Sequence, residues 1–430
     1  ILDIVEKEAP IGVVVSVGGQ TPNNLAKDLS ERGVRLMGTP AESIDWAEDR
    51  SKFSRLLDTL GIGQPEWRTV ESPEEAASFA EEAGYPVIVR PSYVLSGSAM
   101  SVASDEKELR GFFEKAARTS GRHPVVVSKF VSNAREVEVD AVCDGRHVFI
   151  GAIIEHVEEA GVHSGDATMS IPPLTLSEEV KDRIRESTRR IARRLGIRGP
   201  FNIQYLVKNG EISIIECNLR ASRSMPYVSK AIGVNLMELA ADAILGGEVP
   251  DGEGEPLRYC VKVPQFSFMR LDGADPVTGV EMVSTGEVAC FGDSFEEALL
   301  KALTASGMEI PRRGDPILIS VGGRKDRAVE IARKLADKGF RIYATEHTSE
   351  ALRRTGVDCE TVYKVREAGD PNVLDLLAKR RLKFVINTPS PEAVEARSIT
   401  DGYLIRRKAV EFGVPIVTNL ELADNIADAL

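Results

Sequence analysis

Cysteine and histidine are scarce in this sequence, and neither residue type is clustered. The 430 residues include 5 cysteines and 5 histidines, and no Cys-x-x-Cys pair occurs among them. Zinc sites and disulfide frameworks need such residues at short, regular spacings. The sequence therefore predicts the reduced thiols of an intracellular protein and argues against a structural zinc site or a disulfide-stabilised fold.

Long apolar runs and an excess of basic charge are also missing. No run approaches the roughly 18–20 apolar residues that cross a bilayer, and no secretion signal opens the chain. The formal net charge is −12, whereas nucleic-acid binders normally present a basic face. We therefore expect no membrane span and no nucleic-acid partner. The sequence starts at Ile1 inside a predicted helix, so we expect a fragment of a longer chain.

Two common nucleotide-binding motifs are absent as well. The apolar run Ile11–Val17 ends in a glycine turn, Gly18-Gly19, but no G-x-G-x-x-G follows it. No G-x-x-x-x-G-K-[ST] occurs anywhere, which argues against a P-loop kinase or ATPase. The run, the turn and the helix predicted after it still form the start of a βαβ unit, whose strand ends commonly carry ligands.

A predicted hairpin carries the strongest chemical pattern. Asn209-Gly210 separates two runs rich in β-branched and aromatic residues. The second run ends in Glu216 and Asn218, which share one face of a strand because they are two residues apart. Arg220 and Arg223 follow. Carboxylate and amide oxygens suit Mg²⁺, and guanidinium groups suit a small oxyanion.

The pairing register of this hairpin decides whether Gln204 joins that face. A two-residue turn would place Gln204 opposite Ile215. A three-residue loop would pair Lys208 with Ile212 and place Gln204 opposite Glu216. Since the metal hypothesis requires the second arrangement, we predict the three-residue loop.

Three further segments are weaker candidates. Glu136, Glu138 and Asp140 alternate with valines and form a carboxylate row, either a solvated edge or a surface for a ribose or a cation. A loop of small residues after Arg90 is either an ordinary hairpin loop or a flap over a polyphosphate. Residues 163–166, His-Ser-Gly-Asp, could present donors to a phosphate.

The length of 430 residues predicts a protein of about two to four domains, and its order of predicted strands and helices predicts an α/β and α+β fold. Its clearest boundary is the stretch from Pro311 to Pro316, after which strands and helices alternate as in a doubly wound parallel sheet. Small hydroxyl and amide residues stand at three of its strand ends, which favours an anion or small-ligand site. These residues are Ser320, Thr345, Thr348, Asn387 and Thr388.

Several long motifs, in order, resemble one family. Almost the whole chain is similar to the C-terminal half of the carbamoyl phosphate synthetase large subunit. The motifs that carry the resemblance are Gly18–Asn24, Ala47–Arg50, Arg90–Met100, Glu155–Asp166, Glu216–Arg223 and Ser284–Glu287. The resemblance implies a truncated pre-ATP-grasp domain (1–45), an ATP-grasp domain (46–256), a completion of the synthetase unit (257–310) and a methylglyoxal-synthase-like allosteric domain (311–430).

The resemblance also implies an activity and its residues. This half of the family phosphorylates carbamate with MgATP to give carbamoyl phosphate. Gln204, Glu216 and Asn218 would ligate Mg²⁺ or Mn²⁺, and Asn218, Arg220 and Arg223 would act on carbamate and the phosphoryl group. The ATP contacts implied are Arg50, Arg90, Ser96, Gly97, Ser98, Lys129, Val131, Glu136, Gly161, Val162, His163, Ser164, Gln204 and Glu216.

For the C-terminal domain the resemblance implies binding of a nucleotide, ornithine or N-acetylglutamate. The matching positions are Ser320, Lys325, Thr345, Thr348, Lys364, Asn387 and Thr388. The implied partners are the N-terminal synthetase half, which would deliver carbamate, and a glutaminase. We expect a cytoplasmic protein, or one of the mitochondrial matrix for a eukaryotic source, and leave a homo-oligomer open.

Two alternatives stay open at this point. One is another ATP-grasp ligase related to biotin carboxylase, which the segment Ala221-Ser-Arg-Ser224 and the C-terminal domain argue against. The other is a non-catalytic fragment that senses an effector. It predicts effector binding without turnover.

Overall fold

The computed structural model describes residues 1–91, 100–120, 125–389 and 400–430. The predicted flap residues Ser96, Gly97 and Ser98 lie outside these ranges. The chain forms two compact units, one of residues 1–161 and 170–259 and the other of residues 162–169 and 260–430. Residues 260–310 thus lie in the second unit, and their assignment as the completion of the synthetase unit stays a prediction.

The first unit begins with short elements around the glycine turn and continues into a small antiparallel sheet. Its elements up to residue 129 are α1 (Leu2–Glu8), β1 (Val13–Val14), α2 (Gln20–Asn24), α3 (Ala26–Glu31), β2 (Leu36–Met37), α4 (Ala41–Glu48), α5 (Arg50–Leu60), β3 (Trp67–Val70), α6 (Pro73–Ala83), β4 (Val87–Pro91), β5 (Ser101–Ala103), α7 (Glu106–Ser120) and β6 (Val125–Lys129). Strands β1 and β2 pair in parallel, and β3, β6, β4 and β5 form an antiparallel sheet in that order. That sheet and helices α6 and α7 enclose one apolar core.

A second, longer sheet carries the predicted hairpin. The elements that follow are β7 (Arg135–Asp144), β8 (Val148–Glu159), β9 (Met169–Ile171), α8 (Glu178–Leu195), β10 (Arg198–Lys208), β11 (Glu211–Asn218), α9 (Met225–Ile232), α10 (Leu236–Ile244) and β12 (Gly252–Glu253). Strands β11, β10, β7 and β8 are neighbours in that order, all antiparallel. The amphipathic pattern from Ser177 to Leu195 predicts a long helix, and α8 with Ser177 as its N-cap confirms it.

One face of this sheet is the core of the first unit. Alternate residues of β7 and β10, such as Val137, Val139, Ile203 and Tyr205, are fully buried in a cluster that includes Ile184 of α8. Because side chains alternate across a strand, the residues between them point to the other face. That face bears the acidic and amide side chains of the hairpin, so the apolar pattern itself places the candidate site.

The second unit ends in a parallel α/β domain. Its elements are β13 (Tyr259–Gln265), a 3₁₀ turn (Phe268–Arg270), β14 (Gly286–Gly292), α11 (Phe295–Ala305), β15 (Pro316–Val321), α12 (Lys325–Asp337), β16 (Arg341–Thr345), α13 (Glu346–Arg354), β17 (Glu360–Val362), α14 (Val373–Ala378), β18 (Phe384–Thr388), α15 (Asp401–Glu411), β19 (Ile416–Val417) and α16 (Leu420–Ala429). The strand order is β17-β16-β15-β18-β19, all parallel. The predicted doubly wound sheet is therefore confirmed.

Candidate functional site

Two cross-strand rows of polar side chains, here called rungs, lie on the face of the hairpin sheet opposite the apolar core. In the first, Gln204 of β10 stands opposite Glu216 of β11 and opposite Glu138 of β7. In the second, Asn202 stands opposite Asn218 and Asp140. Cross-strand neighbours lie about 4.5–5.5 Å apart at Cβ. The predicted pairing of Gln204 with Glu216 is thus confirmed.

The turn that produces this register differs from the prediction. Asn209 and Gly210 form a two-residue turn, both with positive φ (52° and 80°), and Lys208 pairs with Glu211. The predicted three-residue loop, with Lys208 opposite Ile212, is wrong. A bulge corrects the register instead, because the partner of Tyr205 is Ile214 whereas that of Gln204 is Glu216.

The sequence contains a trace of this bulge. The buried Ile214 of β11 has an even residue number. The buried Cys217 of β11 and the buried Leu219, just after the strand, have odd residue numbers. The apolar alternation therefore changes phase at Ile215, the bulged residue. Its carbonyl oxygen accepts a hydrogen bond from Nη1 of Arg50, so the bulge also supplies an anchor for that arginine.

Arginines hold Glu216 in its charged form. Nη2 of Arg50 lies 2.5 Å from Oε2 of Glu216, and Nδ2 of Asn218 donates to Oε1 at 3.0 Å. Burial would raise the pKa of Glu216, but the charges of Arg50 and Arg90 and the bond from Asn218 outweigh it and lower that pKa to about 2. The carboxylate is therefore ionised at any physiological pH.

Arg90 has a buried donor that no protein group satisfies within the described residues. Burial and the charge of Arg50 lower its pKa to about 9, against the opposite pull of Glu216 and Glu136. Its Nε is buried and has no hydrogen-bond partner within the described ranges. A buried donor without a partner is costly, and an acceptor such as a phosphate oxygen would satisfy it.

The glycine turn near the chain start reaches the same site. Gly18 and Gly19 adopt positive φ (92° and 84°) and lead into Gln20. Its Oε1 accepts from Nε of Arg220 at 2.7 Å, and its Nε2 donates to Glu48 at 2.7 Å. Gln20 and Glu48 thus hold Arg220, and sequence reasoning missed both.

The carboxylate row on β7 is buried, which excludes the solvated edge. Exposed fractions of Glu136, Glu138 and Asp140 are 7%, 3% and 0%. Ligand atoms of Glu136, Glu138 and the buried His156 lie within 4.8 Å of one another. Burial raises the pKa of Glu136 to about 7, and the attraction of His156 only partly opposes it.

Glu138 also fixes the amide of Gln204. Nε2 of Gln204 donates to Oε1 of Glu138 at 3.2 Å, and Nδ2 of Asn202 donates to Oε2 at 3.1 Å. With its nitrogen so engaged, the atom of Gln204 that could ligate a cation is its amide oxygen. Gln204, Glu216 and Asn218 together offer one carboxylate and two amide oxygens, a donor set that fits Mg²⁺.

The remaining implied nucleotide residues are divided between the units. In the first, Nζ of Lys129 donates to the carbonyls of Gly84 and Tyr85, and Val131 is half-buried. Gly161 has a φ of 114°. A Cβ atom at this position would lie only 3.0 Å from the ring of Phe130, so glycine leaves space for that ring.

In the second unit the segment from Val162 is pinned by hydrogen bonds. His163 N donates to the carbonyl of Gly279 at 2.7 Å. The buried Lys262 donates to the carbonyls of Ser164 and Ala167 at 2.9 and 2.8 Å. The Asp166 carboxylate accepts from the backbone of residues 283 and 284.

The implied effector residues meet at one edge of the parallel sheet. The chain passes from β15 to β16 and β17 on one side and resumes at β18 on the other, so β15 and β18 flank the topological switch point. Ser320 and Asn387 are the next-to-last residues of these two strands and pair with each other. Thr345 donates to Ser320 at 3.0 Å, and Lys325 donates to Thr348 at 3.4 Å.

Two ammonium groups give this edge a positive character. Burial lowers the pKa of Lys325, and the charge of Lys364 lowers it further. Lys364 is paired with Glu367 at 3.3 Å. Thr388, the last implied residue, follows Asn387 at the end of β18.

A buried arginine connects this edge to a loop of the same unit. Arg406 on α15 is 3% exposed, and its Nη1 donates to Oδ1 of Asn387 at 2.8 Å. Its Nε and Nη2 each donate to one oxygen of Asp275 at 2.6 Å. Such a fork is bidentate and directional. Sequence reasoning did not find it.

Family models match three consecutive parts of the chain. They are the carbamoyl phosphate synthase preATP-grasp domain at residues 1–46, the carbamoyl-phosphate synthase L chain ATP binding domain at 49–250, and an MGS-like domain at 327–418. Their order agrees with the predicted domain order.

Curated relatives match over the whole chain. It is 45% identical over 442 residues to the multifunctional protein URA2 of Saccharomyces cerevisiae, covering 100% of this chain and 20% of that protein. It is 44% identical over 443 residues to the mitochondrial carbamoyl-phosphate synthase (ammonia) of Homo sapiens, covering 100% of this chain and 29% of that protein. The chain thus spans less than a third of these relatives' length.

Solved structures support the fold. The biotin carboxylase domain of 2-oxoglutarate carboxylase from Hydrogenobacter thermophilus is 15% identical, with a TM-score of 0.60 over 71% of this chain and 75% of that one. Biotin carboxylase from Campylobacter jejuni is 18% identical, with a TM-score of 0.58 over 70% and 76%. The first unit therefore has an ATP-grasp fold, and, with synthase models in the expected order, the chain belongs to the carbamoyl-phosphate synthase L-chain family.

Proposed function

We propose that this chain phosphorylates carbamate with ATP to give carbamoyl phosphate and ADP. The observation that carries the proposal is the cluster of Gln204 and Glu216 from the first rung and Asn218 from the second. Arg50 is paired with Glu216, and Arg220 donates to Asn218. The family membership supports this reading over a biotin carboxylase. Since the chain covers only part of its relatives, the complete synthesis is proposed only together with the missing N-terminal half and an ammonia source, such as a glutaminase.

The reaction asks little covalent chemistry of the protein. A carbamate oxygen forms a bond to the γ-phosphorus of ATP, and the bond from that phosphorus to the β,γ-bridging oxygen breaks, so ADP leaves with the electron pair. The attacking oxygen is already ionised, so no general base is required. Positioning and charge stabilisation therefore account for the rate.

We assign the stabilisation of the phosphate and carbamate charges to the arginines. Arg50 and Arg90 lie beside Glu216, and the unsatisfied Nε of Arg90 supports a contact with a nucleotide phosphate. We assign Arg220 and the exposed Arg223 to carbamate and the transferring group, with Gln20 holding Arg220. Mg²⁺, or Mn²⁺ in its place, would be held by Gln204, Glu216 and Asn218 and would neutralise phosphate charge.

Other residues would bind the nucleotide. A carboxyl with a pKa near 7, such as that of Glu136, can pair with a ribose hydroxyl without a fixed charge. Lys129 and Val131 are proposed for the adenine edge, Gly161 and residues 162–164 for the nucleotide, and residues 96–98 for a flap. The biotin carboxylase domain from Hydrogenobacter thermophilus was solved as a complex with MgADP and bicarbonate. This supports an ATP and Mg²⁺ site in this fold.

For the C-terminal domain we propose an anionic effector. Lys325 and Lys364 lie near enough for one to lower the pKa of the other, and an anion between them would relieve that repulsion. This favours a nucleotide or N-acetylglutamate over ornithine, which carries cationic groups itself. We keep the cytoplasm as the proposed compartment, with the mitochondrial matrix as the alternative because one relative is named as mitochondrial.

The partial reverse reaction tests the proposal. The purified chain is given carbamoyl phosphate and MgADP, and ATP formation is followed. We expect turnover by the parent and a loss of about 10²-fold or more in Glu216→Gln, the range seen when one charge-stabilising group is removed.

Glu211→Gln is the matched control. Glu211 lies on the same strand but its side chain is 79% exposed and pairs with Arg183 at the hairpin end. It should leave the rate unchanged. No ATP from a folded parent that binds ADP would reject the proposal and favour a fragment that senses an effector without turnover.

A further inference from the structure

Asp140 is a fully buried carboxylate beneath the loop that carries the two site arginines. It lies on β7 in the second polar rung and is 0% exposed. Three neutral groups donate to it: Nδ2 of Asn202 at 2.9 Å, Oγ of Ser222 at 2.7 Å and Oγ of Ser224. Ser222 and Ser224 lie 82 and 84 positions further along the chain, so these bonds are tertiary contacts.

The two serines bracket Arg223 and directly follow Arg220-Ala221. Their hydroxyls are also 2.8 Å from each other, and Ser222 Oγ accepts from Met225 N at 3.2 Å. Ser224 is the residue before helix α9. Two hydrogen bonds therefore join the connection from β11 to α9 to the Asp140 carboxylate, and two more involve its own hydroxyls.

A buried carboxylate held by neutral donors is expensive for stability alone. Burial raises the pKa of Asp140 to about 6, and the bonds from Ser224, Asn202 and Ser222 only partly offset that rise. An apolar residue would fill such a position at less cost. What the carboxylate adds is acceptor capacity, since its two oxygens offer about four lone-pair sites to donors from strand β10 and from the loop before α9.

We propose that Asp140 is a positioning residue that holds the Ser222–Ser224 loop so that Arg220 and Arg223 face the carbamoyl phosphate end of the site. This rests on the proposed function. Asp140 itself touches no reacting atom. It acts through the serines, so its loss weakens the grip on carbamoyl phosphate and leaves the nucleotide end intact.

The first test separates the two substrates. In the reverse reaction, Asp140→Ala and the double variant Ser222→Ala/Ser224→Ala should raise the KM for carbamoyl phosphate by about tenfold or more, since small misplacements cost that much. The KM for ADP should stay within about twofold. Asp140→Asn keeps one acceptor oxygen and should fall between the parent and Asp140→Ala.

Ser187→Ala is the matched control for a lost buried hydroxyl. Ser187 on α8 is 4% exposed and lies 3.2 Å from the hydroxyl of Tyr205, on the core side of the same sheet. It should lower stability without changing either KM. Equal changes in both KM values, or none in the folded double serine variant, would overturn the proposal.

A second readout does not depend on activity. Hydrogen exchange of backbone amides 220–225 in the ligand-free chain should speed up by about tenfold in the double serine variant and not in Ser187→Ala. If the parent makes no ATP but exchange responds this way, the proposed function fails and the positioning by Asp140 stands. Unchanged exchange in a folded double variant would overturn it.

Discussion

Two aspartates on β7 experience opposite electrostatic surroundings. Asp140 is held by neutral donors and its pKa is raised, by burial first, to about 6. Asp144 is also buried, but backbone amides of Arg146, His147 and Val249 donate to it at 2.8–2.9 Å. These bonds outweigh burial and lower its pKa below the ordinary range. One strand therefore bears one acid that destabilises the fold as it ionises and one that stabilises it.

This contrast predicts opposite pH profiles for two isosteric variants. The pKa of Asp140 in the folded protein lies above its ordinary value of 3.8. Its favourable contribution to the free energy of unfolding is therefore present below about pH 4 and is lost as the pH rises through about 6. Asp140→Asn should therefore gain stability relative to the parent between pH 4 and 7, on the order of 3 kcal/mol. Urea unfolding at each pH measures it.

Asp144→Asn serves as the opposite case. Its folded pKa is depressed, so its contribution is present above the ordinary pKa and is lost as pH falls. That variant should be destabilised most at pH 7 and progressively less toward acid. If the two variants changed with pH in the same direction, the assigned surroundings of the two carboxylates would be wrong.

At the residue scale, the sequence predicts the charged ends of the site better than what holds them. Glu216, Asn218 and Arg220 stand close together in sequence, and their spacing alone suggests a common face. Gln20, which holds Arg220, lies 200 positions away from it. No local pattern reports such a contact, because only the fold brings the two segments together.

At the scale of the element, the hairpin shows how one prediction can be right for a wrong reason. The pairing of Gln204 with Glu216 is as predicted, but the two-residue turn and the bulge at Ile215 produce it together. Long amphipathic helices such as α8 follow from 3.6-residue periodicity and capping. The C-terminal helix α16 was missed, although Asn419 caps it.

The turn gives a direct test of this geometry. Asn209 has φ 52°, a left-handed conformation that costs most L-residues about 1–2 kcal/mol. Asn209→Ala should therefore lower the free energy of unfolding by about 1 kcal/mol, whereas Asn209→Gly should cost little. Urea unfolding of the two variants, with Glu211→Ala as the control beside the turn, decides it. Equal stability of the Ala and Gly variants would contradict the two-residue turn and favour the predicted three-residue loop.

At the scale of the whole molecule, chain order and unit order differ. Residues 162–169 come from the middle of the first unit's sequence but belong to the second. Hydrogen bonds join this segment to Lys262, Gly279 and residues 283–284, which all belong to the second unit. Composition shifts cannot reveal such an exchange, since it leaves no change of pattern along the chain. Within the described residues, no helix is long and apolar enough to cross a membrane.

The fork between Arg406 and Asp275 should be strongly coupled. Arg406 is 3% exposed and Asp275 35% exposed in their side chains. Since breaking a largely buried pair leaves a charge without its partner, a double-mutant cycle with Arg406→Met and Asp275→Asn should give a coupling of about 2 kcal/mol. The exposed pair Arg68–Glu82 should give a clearly smaller coupling, because water screens it. Urea unfolding supplies both cycles, and equal couplings would contradict the assigned burial.

That fork also limits how this protein can be recombined with its relatives. Asp275 lies in the loop before β14, whereas Arg406 and Asn387 belong to the parallel domain that follows residue 311. A parallel domain grafted from a relative at that boundary would bring its own residue at position 406, which would then have to pair with Asp275 of this chain. Grafts should therefore succeed when donor and recipient agree at both positions. Where they differ, the loop residue has to be transplanted with the domain.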